Sequence, residues 1–70
     1  MSTNQKYSAR IHSRRQLVSI ETHLKSCSIL LADVGVRYTE AIPIVSSACH
    51  EMIMMINMME AMVNDVRDNI

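Results

Sequence analysis

Apolar residues recur through the first half of the chain at alternating spacings of three and four. They are Leu17, Ile20, Leu24, Cys27, Leu31 and Val34. This spacing is the a/d pattern of a heptad repeat, in which one stripe of a helix faces another helix. No glycine or proline interrupts it before Gly35. The pattern predicts a helix over about residues 8–34, preceded by a flexible tail at residues 1–7.

A second stripe of the same kind predicts a second helix over about residues 44–68. Its members are Val45, Cys49, Met52, Ile56, Met59, Val63 and Val66. Further apolar residues widen the stripe to a little over half of the helix circumference, among them Ala48, Met55, Met58 and Met62. One neighbouring helix covers only about 100° of a helix surface. The second helix is therefore expected to have more than one neighbour.

The residues between the two stripes, 35–43, are typical of a turn. Gly35 suits the left-handed conformation that commonly ends a helix. Thr39 can cap the following helix, and Pro43 is tolerated only in a first turn. The sequence therefore predicts an all-α protein, a single coiled-coil-like domain over residues 1–70 built as an antiparallel two-helix hairpin.

Centring the turn on Tyr38 gives a predicted register for the hairpin. Stripe residues then face one another, as Leu24 with Met52, Ile20 with Ile56, Leu17 with Met59, and Cys27 with Cys49. Residues 1–25 carry five bases and one acid, whereas residues 51–70 carry four acids and one base. An antiparallel hairpin sets these oppositely charged ends side by side.

The composition indicates that the hairpin needs additional contacts. The chain has 70 residues, of which 49% are hydrophobic, and its formal net charge is zero. A chain this short buries little surface on its own, and its hydrophobicity argues against disorder. We therefore expect self-association, co-folding with a helical protein partner, or both.

The methionines of the second helix are the predicted partner-binding residues. Methionine is flexible and polarisable, so it adapts to the surface of another helix. Met52 and Met59 are expected inside the hairpin, whereas the flanking methionines exceed what a two-helix core requires. The predicted binding residues are Met54, Met55, Met58 and Met62.

The cysteines and histidines are candidate reactive or metal-binding groups. His23, Cys27, Cys49 and His50 make up a Cys2His2 set, which can bind zinc. However, adjacent residues on a helix point about 100° apart, so Cys49 and His50 cannot easily reach one metal. A Cys27–Cys49 disulfide is a second possibility. The favoured interpretation is that both are buried free thiols, because cysteine is among the most buried residue types.

No pattern in the sequence predicts an enzyme. A phosphate-binding glycine loop is absent, and no pocket is expected between two helices. We therefore expect no catalytic residues, no cofactor, no bound metal and no small-molecule substrate.

The basic N-terminal segment is a candidate nucleic-acid contact. Its members are Lys6, Arg10, His12, Arg14 and Arg15. The segment lacks interleaved aromatic residues and the overall pI is about 6.8, so a solvated face beside the acidic C-terminal end is the favoured interpretation. Residues 53–63 are too short and too polar to span a membrane. With no secretory pattern and only two cysteines, the expected location is the cytoplasm.

Residues 17–62 combine three features. They are a leucine-bearing first helix, a glycine-containing turn followed by Tyr38, and a second helix with small and aliphatic residues at particular positions. The positions on the second helix are Ala48, Met52, Ile53 and Ile56. This layout resembles the small co-chaperones of type III secretion needle subunits. Members of that family are helical hairpins that join a larger helical-repeat chaperone and keep the needle protein soluble.

The resemblance implies a non-catalytic chaperone or co-chaperone whose functional surface is the exposed part of its apolar faces. Two other classes of protein remain open. One is a structural subunit of a coiled-coil assembly, such as a kinetochore or organelle-tethering complex. The other is a small regulator that binds a transcription factor.

Overall fold

The computed structural model describes the backbone of residues 3–70 and the side chains of residues 8–70. It contains two helices, α1 (Thr3–Arg37) and α2 (Pro43–Asp68), and no strand within the described residues. The helices pack antiparallel along a rod measuring 59 × 15 × 13 Å. The all-α, two-helix hairpin predicted from the heptad stripes is confirmed.

Helix α1 is longer than the sequence pattern indicated. It begins at Thr3, inside the segment for which a flexible tail was expected, and ends at Arg37. No glycine or proline stands in the segment before Gly35, so nothing in it breaks a helix. Residues 1 and 2 lie outside the described residues.

The prediction that Gly35 ends α1 in a left-handed conformation is wrong. No residue in the described part of the chain has a positive φ, and Gly35 lies within the helix. The Thr39 hydroxyl donates to the carbonyl oxygen of Gly35 at 2.9 Å, so Thr39 caps the end of α1 and not the start of α2. Ile42 precedes α2 without a side-chain capping bond, and Pro43 occupies the first turn as predicted.

Gly35 instead allows the two helices to approach closely near the turn. A Cβ atom placed on Gly35 would lie 3.3 Å from Cβ of Cys49 and 3.8 Å from the carbonyl oxygen of Ser46. Gly35 and Cys49 are both buried. The absence of a side chain at position 35 is therefore what brings α2 against α1.

This contact corrects the predicted register. Centring the turn on Tyr38 would place position 41 opposite Gly35, whereas the structure places Cys49 there, eight residues further along. Leu31 correspondingly shares a groove with Ile53. A slip of about one heptad leaves the stripe pattern unchanged, so spacing alone does not distinguish the two registers. Cys27 does not face Cys49.

Both helices are also rotated relative to the predicted stripes. On α1 the buried or half-buried positions among the described side chains are Ile11, Ser13, Leu17, Glu21, Leu24, Ser28, Leu31, Val34 and Gly35. On α2 they are Val45, Ser46, Cys49, Ile53, Ile56, Glu60, Val63 and Arg67. Ile20, Met52 and Met59, which were expected inside the hairpin, are exposed. Among the described residues only Cys49 and Ile56 are buried hydrophobic side chains, with exposed fractions of 3% and 9%.

An ion pair joins the helices at the end distant from the turn. Arg67 Nη1 lies 2.9 Å from Glu21 Oε2, and Lys25 Nζ lies 3.2 Å from the other oxygen of the same carboxylate. The hydrogen bond from Lys25, followed by the charge of Arg67, holds the pKa of Glu21 below its usual value. Arg14 additionally donates to the carbonyl oxygen of Arg67 at 3.2 Å. These contacts hold α2 against the middle of α1.

We expect Gly35→Leu to lower the free energy of unfolding by about 1–3 kcal/mol, because the new side chain would overlap Cys49. The matched control is Ser26→Leu, which adds the same side chain at an exposed position of α1. Urea denaturation followed by circular dichroism at equal protein concentrations measures both. Equal stability of the two variants would show that the helices do not meet closely at Gly35.

Reversing the charges of the Glu21–Arg67 pair tests the observed register. Glu21→Arg and Arg67→Glu should each lower the melting temperature, because each places like charges together across the helices. The double variant should recover part of the loss, since it restores an attractive pair. Thermal denaturation measures the melting temperatures of all three variants. A double variant that melts no higher than the less stable single variant would contradict this register.

Candidate protein-binding surface

The rotation of the helices leaves a continuous row of apolar side chains in solvent. We name this surface the open face, and define it by Ile20 and Cys27 of α1 and by Met52, Met59 and Val66 of α2. The exposed fractions of Ile20, Met52, Met59 and Val66 lie between 41% and 51%. Leu30, Met55 and Met62 border it and are more exposed still. Contiguous apolar surface of this kind marks an interaction site more often than isolated apolar residues do.

Helical geometry places the α1 residues and the α2 residues of the open face on the same side of the hairpin. Met52, Met59 and Val66 are seven residues apart and lie roughly 60–100° around α2 from the buried direction of Cys49. Cys27 lies roughly 60° around α1 from Leu24 in the same rotational sense. In an antiparallel pair, positions displaced in the same sense fall on the same side.

A groove between the helices agrees with this placement. It is lined by Val66 of α2, by Ile70, which follows α2, and by residues of α1, namely His12, Ser13, Arg15, Gln16, Leu17, Ser19, Ile20 and His23. Side chains from both helices therefore bound one concave surface at the end of the hairpin distant from the turn. The open face continues from this groove towards the turn through Met59, Cys27 and Met52.

All four methionines predicted to bind a partner are exposed, but they do not share one surface. Met55 and Met62 border the open face. Met62 lies roughly 140° from the direction of Cys49 in the rotational sense of Met52, whereas Met58 lies roughly 180° away and Met54 roughly 140° away in the opposite sense. The structure thus brings Met55 and Met62 together with Met52 and Met59, which sequence reasoning had assigned to the interior.

The opposite side of the hairpin is more polar. Glu21 and Lys25 form an ion pair there, and Arg67 donates to the amide oxygen of Asn64 at 2.5 Å. Thr39 and Ser46 lie 3.5 Å apart at the turn end of the same side. Several apolar side chains of α1 are also exposed outside the open face, namely Val18, Ile29 and Val36. These polar side chains make this side less suitable for an apolar partner.

The two cysteines differ in environment. Both are free thiols, but Cys49 is buried and Cys27 is exposed. The expectation that Cys27 is buried is therefore wrong, because the rotation of α1 turns Ser28 inward in its place. His23 directs Nδ1 to the carbonyl oxygen of Ser19 at 2.6 Å, one turn earlier in α1. No group of three metal-ligating side chains comes together within the described residues.

Neither α1 nor α2 contains a stretch in its described residues that is both long and apolar enough to cross a bilayer.

Comparison with protein-family models, curated proteins and solved structures gave no match.

At sub-micromolar protein concentration, we expect Cys27 to react with Ellman's reagent without denaturant and Cys49 to react only after unfolding. The reason is that a thiol must reach solvent to attack the reagent. Cys27→Ala and Cys49→Ala variants assign the fast and slow phases. Equal rates for the two thiols in the folded protein would contradict the observed rotation of α1.

Proposed function

We propose that this chain is a non-catalytic interaction protein that binds an amphipathic helix of a partner protein along its open face. The observation that carries the proposal is the row formed by Ile20, Met52, Met59 and Val66, which the hairpin positions but does not cover. Because only two hydrophobic side chains are buried among residues 8–70, the hairpin gains substantially from a further helix packed on this row.

The shape of the open face suits a helix. Two antiparallel helices leave a shallow groove between them, and a third helix can place one apolar stripe in it. The hairpin is 59 Å long, which gives room for several turns of a partner. Met52, Met55 and Met59 can adjust their side-chain conformations to partners of differing sequence.

Binding of this kind is consistent with a small chaperone or co-chaperone. Such a protein covers the apolar stripe of a helical partner that would otherwise aggregate. The layout shared with the type III secretion co-chaperones supports this role, with the needle subunit or its larger chaperone as the corresponding partner class. The alternative is a structural subunit of a coiled-coil complex, which the small core favours because such a subunit co-folds with its partners.

A pair of adjacent methionines provides a matched test of the binding surface. The probe is a fluorescein-labelled synthetic peptide with leucine at the a and d positions of three heptads, and fluorescence anisotropy measures its affinity. Met59→Asp, on the open face, should weaken binding roughly five- to hundred-fold. Met58→Asp introduces the same charge on the outer side of α2 and should leave the affinity within about two-fold of the original.

Circular dichroism of each variant shows whether the hairpin remains folded. Met62→Asp, at the more exposed border of the open face, serves as a second test variant if Met59→Asp unfolds. Failure of the unmodified protein to bind the peptide at tens of micromolar would refute the proposal. Equal weakening by Met58→Asp and Met59→Asp would refute the assignment to the open face.

A further inference from the structure

We infer that, when no partner helix is bound, a second copy of this chain covers the open face, giving a four-helix bundle with both turns at the same end. The inference relies on the open face of the proposed function but names a different occupant. It follows from the surface area of the hairpin and from the distribution of charge between its helices.

The surface area is larger than a compact protein of this mass would expose. The hairpin exposes 5568 Å², whereas a compact monomer of 8.0 kDa exposes about 4,500 Å². The excess of about 1,000 Å² is spread over the whole rod, including the part of α1 that extends beyond α2. Each partner in a typical stable interface buries about 800 Å², so the hairpin exposes enough surface beyond that of a compact protein to form a dimer.

The open face is also suitable for contact with itself. In a two-fold dimer the same patch serves both copies, so it must be complementary to its own side chains. The open face is apolar at its centre, where Ile20, Met59 and Val66 are exposed, although Arg15 and His23 also line the groove at its end distant from the turn. Stacking two such faces supplies the shared core around which four helices pack.

The charges of the two helices determine the orientation of the second copy. Helix α1 contains six bases and two acids, whereas α2 contains one base and four acids. A two-fold axis parallel to the helices places each α1 beside the α2 of its own chain and beside the α2 of the other. An axis perpendicular to the helices would instead stack α1 on α1, which makes neighbours of two helices with the same sign of net charge. Electrostatic complementarity favours the first arrangement, in which both turns lie at the same end.

The orientation can be measured with a spin label in the turn. Glu40 is exposed and lies outside the open face, so Glu40→Cys in a Cys27→Ala background gives one accessible label per chain. Because Cys27 belongs to the open face, sedimentation equilibrium must first show that the Cys27→Ala protein has the same oligomeric state as the unmodified protein. The Cys27→Ala protein without Glu40→Cys is the control and should take up no label, because Cys49 is buried.

Pulsed electron paramagnetic resonance at tens of micromolar protein should give a label-to-label distance of about 20–30 Å, since neighbouring helices lie about 10 Å apart. A distance near the 59 Å length of the hairpin would overturn the inferred orientation. A monomer in sedimentation equilibrium at the same concentration would overturn the dimer itself.

The substitutions at adjacent methionines separate this inference from the proposed function. Met59→Asp should convert the dimer to a helical monomer, whereas Met58→Asp should remain a dimer in sedimentation equilibrium. Met62→Asp replaces Met59→Asp if the latter unfolds. An unmodified monomer that still binds the leucine peptide would refute the dimer and leave the proposed function standing. A dimer that never binds the peptide would support the inference and refute the proposed function.

Discussion

The contact between Gly35 and Cys49 determines how the rest of the hairpin is arranged. A helix rotates as a rigid unit, so the direction in which Gly35 faces also sets the directions of Ser28 and Glu21, seven and fourteen residues earlier. A Cβ atom at position 35 would lie only 3.3 Å from Cβ of Cys49, so glycine allows the helices to pack here without displacing Cys49. Because α1 turns Gly35 towards α2, it also turns Ile20 and Cys27 towards the open face.

The same rotation exchanges polar and apolar groups between interior and surface. Glu21 and Arg67 enter the interface as an ion pair, and the hydroxyl of Ser28 is buried without a hydrogen-bond partner. Leaving a buried hydroxyl unpaired costs about 1–3 kcal/mol. In exchange, Met52 and Met59 remain in solvent. This distribution is unfavourable for an isolated hairpin and becomes favourable once another helix covers the open face.

The heptad stripes were sufficient to predict two helices, an antiparallel hairpin and Pro43 in the first turn of α2. They were not sufficient for the register or the rotation. In each helix, either of two sets of positions, one residue apart, can face the other helix. Shifting the register by one heptad keeps both sets aligned with positions of the same kind. Heptad spacing favours Ile20 over Glu21 as the residue that faces the other helix. It carries no information about the ion pair with Arg67, which places Glu21 in the interface. The close approach at Gly35 could have been suspected from the sequence, because it is the only glycine and lies within the apolar pattern.

Reliance on methionine gives the open face a chemical property that leucine would not. The thioether sulfur can be oxidised to a sulfoxide, which is polar and disrupts methionine-rich interfaces, and cellular reductases reverse the change. Met52, Met55, Met59 and Met62 are all exposed in the uncovered hairpin, so oxidants can reach them. Oxidation of these side chains would place polar oxygens along the row that binds helices. A bound helix would shield the sulfurs, so oxidation would act chiefly on hairpins whose open face is uncovered.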